Sequence, residues 1–233
     1  MTIREIIQRV KSLYNQGVGY VDTHLSDRHI YNKLLSVRAL LLQTKYRNSI
    51  KSIAYKNLIT LNCVELIEAP PYECPCLPQI GCSILRTKHK LPELLSINYD
   101  YVIKSVTNIT GDLYFDRTTW EAKKYISGNK YTSKKLDYYI QNDYLYLTAN
   151  SKLKYITITA LFKDPNESKK LNSCNDGEDN CIDIRDTEFL IEDDLIDMLI
   201  QQTFQEFLQI MKLEQIPQNN GEEQERNNRE RGE

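Results

Sequence analysis

Apolar positions follow three regimes along the chain. They keep helical spacing to about residue 47, alternate in the middle, and return to helical spacing before a tail that has no apolar residue. Ile3, Ile6, Ile7, Val10 and Leu13 mark one face of a 3.6-residue period. Thr2 with Glu5 three residues on forms a capping box, and Gly17 is a natural stop. Ser26-Asp27 offers oxygens to the free amides of a second helix start. There Ile30, Leu34, Val37 and Leu41 make a stripe, widened by Leu35, Leu40 and Leu42, that runs to about Arg47. The two elements predict a helical hairpin.

From about Leu58 the period falls to two. Leu61–Ile67 predicts a strand, interrupted by the proline-rich loop Ala69–Pro78. Val102–Thr107 predicts another, ended by Asn108 to Gly111, and Thr118–Tyr125 fits a short helix. Tyr138–Gln141 and Tyr144–Thr148 flank Asn142-Asp143, two residues suited to the positive φ of a tight hairpin. Asn150-Ser151-Lys152 turns the chain into Leu153–Phe162, where Ile156, Ile158, Ala160 and Phe162 share a face. This antiparallel meander stops at Asp164-Pro165.

Glu167 to Asp183 is polar and reads as a surface loop. Asp186 or Thr187 then starts a final helix, with Glu188, Glu192, Asp193 and Asp194 in its early turns and Lys212 near its end, as the helix dipole favours. Its polar seam is narrow: Asp194, Asp197, Gln201, Gln205 and Lys212. Leu195, Ile196, Met198, Leu199, Ile200, Phe204, Phe207, Leu208, Ile210 and Met211 fill the remainder, whereas a helix on one core needs a stripe only about 100° wide. Such a helix calls for cover on two sides. After Pro217 the sequence QNNGEEQERNNRERGE can bury nothing and reads as an extended arm.

The predicted class is α+β: a helical bundle (the N-terminal hairpin plus the long C-terminal helix) with an inserted antiparallel β domain and a polar C-terminal arm. The expected boundaries are 1–56 for the hairpin, 57–165 for the β domain, 166–185 for the polar loop, 186–216 for the returning helix and 217–233 for the arm.

Thirty Lys+Arg against 32 Asp+Glu leave a net charge of −2, so composition predicts neither nucleic-acid coating nor attachment to anionic membranes. The longest apolar runs, such as Ala39–Leu42, fall far short of the ~20 residues of a membrane span. Met1-Thr-Ile-Arg-Glu lacks the apolar core of a signal peptide, which implies synthesis in the cytoplasm. Asn108-Ile-Thr and Asn166-Glu-Ser match the glycosylation pattern and are read as chance. Sixteen tyrosines against one tryptophan and five phenylalanines fit strand propensity, with interface enrichment as a secondary reading.

Among candidates for chemistry, Cys74-Pro75-Cys76 with Cys82 and Cys63 could supply four thiolates to zinc, but the one-residue spacing departs from the usual pairs of structural sites. Free structural thiols are the preferred reading for these and for Cys174 and Cys181, although the last two would close a small loop on oxidation. His24, His29 and His89 have no evident nucleophile to serve. The loop Asn175–Asn180 is oxygen-rich but lacks the calcium-loop spacing. No phosphate-binding loop, dinucleotide fingerprint, nucleophile elbow or zinc-protease motif occurs, so no catalytic, cofactor or metal assignment is made. Arg38, between Val37 and Ala39, belongs either to the polar side of its helix or to a partly buried anchor for a neighbour's carboxylate.

The stretch from Leu25 to Gln43 (LSDRHIYNKLLSVRALLLQ) resembles the second helix of virion proteins from crAss-like phages. The resemblance continues through Glu73-Cys-Pro-Cys, Leu85-Arg-Thr-Lys, Tyr144–Leu147 and Leu161-Phe-Lys-Asp-Pro, and its order covers most of the chain. That family is similar in organisation to the head-to-tail adaptors of short-tailed phages. The resemblance implies a non-enzymatic connector subunit of the virion: a dodecameric ring that docks on the portal, meets further tail or ring proteins and passes DNA through its lumen without reading it. The expected partner surface comprises Leu195, Met198, Leu199, Phe204, Phe207 and Met211, with Arg38 and the arm residues Gln218, Asn219, Asn220, Arg226 and Arg229. The alternatives are another tail or minor capsid component of the virion and, further off, a small enzyme with a site assembled from scattered residues.

Overall fold

The computed structural model describes residues 1–15, 26–70, 84–119, 121–122, 136–148, 153–169 and 183–214, with backbone alone at 148, 169 and 210–214. Within them lie α1 (Ile3–Tyr14), α2 (Asp27–Tyr46), β1 (Ile59–Glu68), β2 (Leu85–Thr87), β3 (Ser96–Ile97), β4 (Asp100–Tyr101), β5 (Ile103–Asn108), β6 (Asp116–Arg117), β7 (Asp137–Gln141), β8 (Tyr144–Thr148), β9 (Tyr155–Ala160), α3 (Pro165–Lys169) and α4 (Asp193–Glu214). The molecule is mixed α+β, as the change of period implies.

Local chemistry sets the helix starts. The Thr2 hydroxyl accepts from Glu5 N while the Glu5 carboxylate accepts from Thr2 N at 3.0 Å, completing the capping box. Ser26 caps α2 by accepting from His29 N. α1 ends at Tyr14 with Asn15 as its cap, and Gly17 lies outside the described residues.

The C-terminal helix begins later than its composition implies. Residues 184–186 form a 3₁₀ turn, and α4 starts only at Asp193. Between them the chain is held against the N-terminus: Ile3 N donates to Thr187 O, Phe189 N donates to Met1 O, both at 3.0 Å, and Thr2 bridges Glu188. The reason is visible in the alternation of buried Phe189 and Ile191 with exposed Glu188. Glu188 and Glu192 therefore precede the helix.

α1, α2 and α4 share one apolar cluster, including Ile6, Val10, Leu34, Leu42, Leu195, Leu199 and Phe207. Leu95, Ile97, Val102 and Leu161 join it from the β region, so the helices and the strand segments are packed as neighbours. A second cluster fills the sheet, with Leu61, Leu145, Leu147, Ile156, Ile158 and Phe162 at its centre.

The seven-stranded sheet has the order β5-β9-β1-β2-β8-β7-β6. It is antiparallel except that β6 pairs parallel with β7, which corrects the all-antiparallel expectation. The extended segment Leu113–Thr118 pairs first with β5 (Asn108 N to Leu113 O 3.1 Å; Phe115 N to Val106 O 3.0 Å) and then with β7 (Thr118 N to Tyr138 O 2.8 Å). The sheet is thereby nearly closed on itself. The β7–β8 turn places Asn142 and Asp143 at φ 53° and 66°, as the pair's chemistry predicts. Ile156, Ile158, Ala160 and Phe162 are all fully buried, so they share the inward face. β1 carries a bulge between Leu61 and Val64, with Cys63 at φ 58°. Strands β2, β3, β4 and β6, of two or three residues each, and helix α3 are additions to the elements the pattern predicts. Of the expected Thr118–Tyr125 helix, Thr118 is extended and residues 121–122 are helical, while residues 120 and 123–125 lie outside the described residues, as do the Ala69–Pro78 loop beyond residue 70 and the 170–182 part of the polar loop.

Candidate assembly surface

Arg38 does not sit where either sequence reading puts it. It lies four residues from both Leu34 and Leu42, in the phase of the buried stripe, and is fully buried. Its Nε donates to Leu190 O at 2.7 Å, Nη1 to Phe162 O at 2.9 Å and Lys163 O at 3.5 Å, and Nη2 to Asn57 O at 3.3 Å. The planar fork with five donors suits this use, because it serves carbonyls from three separated segments at once. Burial pushes the guanidinium down to about 10, with the nearby Tyr31 and Asp164 working in the other direction. Arg38 is an internal clamp, and the assignment to a partner surface is corrected.

Beside it, Glu192 closes the gap between α2 and α4. Its carboxylate accepts from Lys45 Nζ at 2.5 Å, Asn57 Nδ2 at 2.5 Å and the Tyr46 hydroxyl. Burial acts to raise this carboxyl, but the hydrogen bonds from Lys45, Tyr46 and Asn57 outweigh it and hold Glu192 below the ordinary carboxylate range. Lys45 also bonds Asp194 at 2.7 Å and Lys56 bonds Asp193 at 2.6 Å. The acidic start of α4 is thus met by cations from elsewhere in the chain.

The wide apolar girth of α4 is mostly consumed internally. Leu195, Leu199 and Phe207 are buried, Phe207 beside the His29 ring at 5.6 Å, which corrects their place in the expected partner surface. Ile196, Ile200 and Thr203 are buried as well. α4 therefore has cover over more of its circumference than a single-face helix, and the chain itself provides it. Met198 remains 47% exposed and Phe204 half-buried. Gln218, Asn219, Asn220, Arg226 and Arg229 lie outside the described residues, as does the Met211 side chain.

Cys63 is disulfide-bonded, which corrects the free-thiol reading at that position and withdraws its thiolate from the proposed zinc set. Cys74, Cys76, Cys82, Cys174 and Cys181 lie outside the described residues. Among the described residues no group of three or more His, Cys, Asp and Glu is placed to hold a metal ion, and no helix is long and apolar enough to cross a membrane.

The tyrosines divide by position. Tyr138, Tyr139 and Tyr146 are buried in strands, with the Tyr139 and Tyr146 rings stacked at 5.1 Å. Tyr55, Tyr99 and Tyr114 project into solvent. Tyr99 is fully exposed at the tip of the β3–β4 hairpin, in a turn where Asn98 and Tyr99 have φ 53° and 66°. Asn98 Nδ2 donates to Arg47 O at 2.6 Å, fixing the tip to the end of α2. Between hairpin and helix lies a groove of 380 Å³ lined by Leu40, Gln43, Thr44, Arg47 and Ser96 to Tyr99, with Leu40 52% exposed. At the opposite end of α2 is a second depression of 310 Å³, walled by Ile3, Ile7, Tyr31 and Ile184 and rimmed by Asp27, Arg28 and Arg185. Neither feature is among the residues singled out by sequence. The available signals were Leu40, which the wide stripe of α2 absorbed, and Asn98 between two short alternating pairs.

A family model for phage tail ring protein 2 matches residues 5–227. The chain belongs to this family of crAss-like phage ring proteins. No curated protein matches it. Family membership makes the chain a structural ring protein of the virion that assembles with phage tail components. The exposed apolar side chains on the described surface are to be read in that setting.

Proposed function

We propose that this ring protein is the head-to-tail connector subunit whose closed ring, a dodecamer, docks on the portal and extends the DNA channel towards the tail. The observation that carries the reading is the family match itself, which runs from α1 through α4 and into the polar arm, so the arm shares the family's sequence pattern with the folded part. In this reading α1, α2 and α4 form a bundle carrying residues 57–165 as an inserted β domain. Met198, Phe204 and Met211 on α4 meet a neighbour, and the arm at 217–233 lies along the next subunit through Gln218, Asn219, Asn220, Arg226 and Arg229. Ordering such an arm costs conformational entropy that only contact with a partner offsets. The subunit has no catalytic part in this scheme, is made in the host cytoplasm and lets DNA pass without sequence-specific contact. Its net charge of −2 is compatible with a lumen that does not hold the passing duplex.

The test is truncation after Pro217 followed by reconstitution with portal and tail proteins. The shortened chain is expected to fold and to lose ring formation or docking. Rings that form and dock normally without the arm refute its role, and a full-length chain that ignores the portal while binding other tail proteins moves the subunit further down the tail.

A further inference from the structure

We infer that neighbouring copies in the ring join head to tail by insertion of Tyr99 of one copy into the Ile3/Ile7/Tyr31/Ile184 depression of the next. This rests on the ring reading above and specifies its contact. The knob is pre-formed. A bulky residue at positive φ in a two-residue hairpin takes the place usually held by glycine and costs about 1 kcal/mol. Here that residue makes no use of its ring within its own chain, since it is fully exposed. The hairpin cannot swing freely, because Asn98 is bonded to the end of α2 and Gln43 Nε2 donates to Ser96 O at 2.9 Å.

The depression suits a phenol. Its walls are apolar, its 310 Å³ exceeds the size of one aromatic side chain, and its rim of Asp27, Arg28 and Arg185 leaves polar company for a hydroxyl. Ile184 at its edge is itself 48% exposed. Charge agrees as well. Asp100, next to Tyr99, keeps 61% of its side chain exposed while paired to Arg117, and Arg28 on the rim has no carboxylate partner among the described residues.

Position favours a second copy as the occupant. The groove at the knob engages Gln43, Thr44 and Arg47 at the end of α2, and the depression engages Asp27, Arg28 and Tyr31 at its start. At 1.5 Å per residue these lie about 24 Å apart along one rigid helix. Two different patches at opposite ends of α2 form a heterologous contact, the type that builds a ring where the rotation closes.

Two full-length variants test this. Tyr99→Ala removes the knob and Ile184→Asp blocks the hole; both positions are exposed, and a retained melting temperature confirms folding. Each variant alone is expected to lose at least about 30-fold in association, the scale of an aromatic hot spot. Mixed together they are expected to form dimers and stop, because only one productive knob and hole remain per pair. In otherwise native chain, a benzophenone amino acid at position 99 is expected to crosslink to residues 3–7, 28–31 or 184 of another copy. Rings of normal size from either variant, a mixture without dimers, or crosslinks mapping elsewhere overturn the contact while leaving the ring reading intact. Wild-type chain that stays monomeric even with its tail partners sinks the ring reading first.

Discussion

Arg38 Nη1 donates to the carbonyl of Phe162 at 2.9 Å across 124 residues of sequence. The bond ties the middle of α2 to Phe162, two residues past the end of β9, and the same guanidinium holds residues 57 and 190. Replacing it leaves several buried carbonyls without donors. Arg38→Met is expected to destabilise the fold by about 3 kcal/mol or more, on the scale of 1–3 kcal/mol per stranded polar group. For a chain of this size that is a drop of roughly 10 °C in Tm. Arg38→Lys is expected to recover little, since one ammonium cannot reach all the carbonyls. Thermal and urea unfolding of the two variants check both statements.

Glu192 makes stability sensitive to acid. Its folded-state carboxyl is held below the ordinary value of 4.5, so its contribution is fully present above that value and is lost as pH falls through the lower folded one. Asp27 shifts in the same direction, through its bond to Lys11. Unfolding midpoints are expected to be flat near neutrality and to fall below about pH 4.5. Glu192→Gln should flatten part of that slope; an unchanged slope would show that other carboxylates dominate.

Leu199 and Met198 are sequence neighbours with opposite fates. Leu199→Ala is expected to cost about 2–5 kcal/mol, because the side chain is fully buried. Met198→Ser is expected to lie within about 0.5 kcal/mol of wild type in the isolated subunit. Comparable losses from both would contradict the inward orientation of Leu199.

Tyr99→Gly relieves a positive φ. The variant is expected to raise subunit stability by up to about 1 kcal/mol, offset in part by the greater freedom of an unfolded glycine. Denaturant titration of the monomer measures it, and a clear loss of stability would mean that the ring packs within its own chain.

Cys63 in its disulfide leaves at most four of the six cysteines free. Thiol titration under denaturing, non-reducing conditions is expected to count no more than four, and Cys63→Ser to lower stability by about 2–5 kcal/mol. A count of six refutes the bond.

Much of this fold is legible in the sequence because its signals are local. The Thr2–Glu5 box, the Ser26 cap and the Asn142-Asp143 turn each need only a few adjacent residues, and all three form as their chemistry predicts. The misreadings come from long-range events. Composition makes Glu188 and Glu192 look like the first turn of a helix, but pairing of Thr187 and Phe189 with the N-terminus holds that segment extended. The phase of Arg38 marks it as inward, yet its partners are backbone carbonyls, which carry no sequence signature. The same holds for the surface. The wide apolar face of α4 is real, but which neighbour covers it depends on packing of α1 and α2 that no single segment encodes. The Asn98-Tyr99 turn has a local signal, whereas the depression walled by Ile3, Ile7, Tyr31 and Ile184 is a product of tertiary placement.

The pairing of Leu113–Thr118 with both β5 and β7 has a consequence for polymerisation. A sheet with an open margin can recruit the backbone of another molecule without limit, which is how fibres grow. Here both ends of the described seven-stranded sheet are engaged in part by the chain's own Leu113–Thr118 segment. Side-chain contacts of defined shape are thereby favoured over strand addition at this sheet, and contacts of that kind fix an angle between neighbours. Such an angle yields a finite ring only where successive rotations return to the first copy, and otherwise it yields a filament.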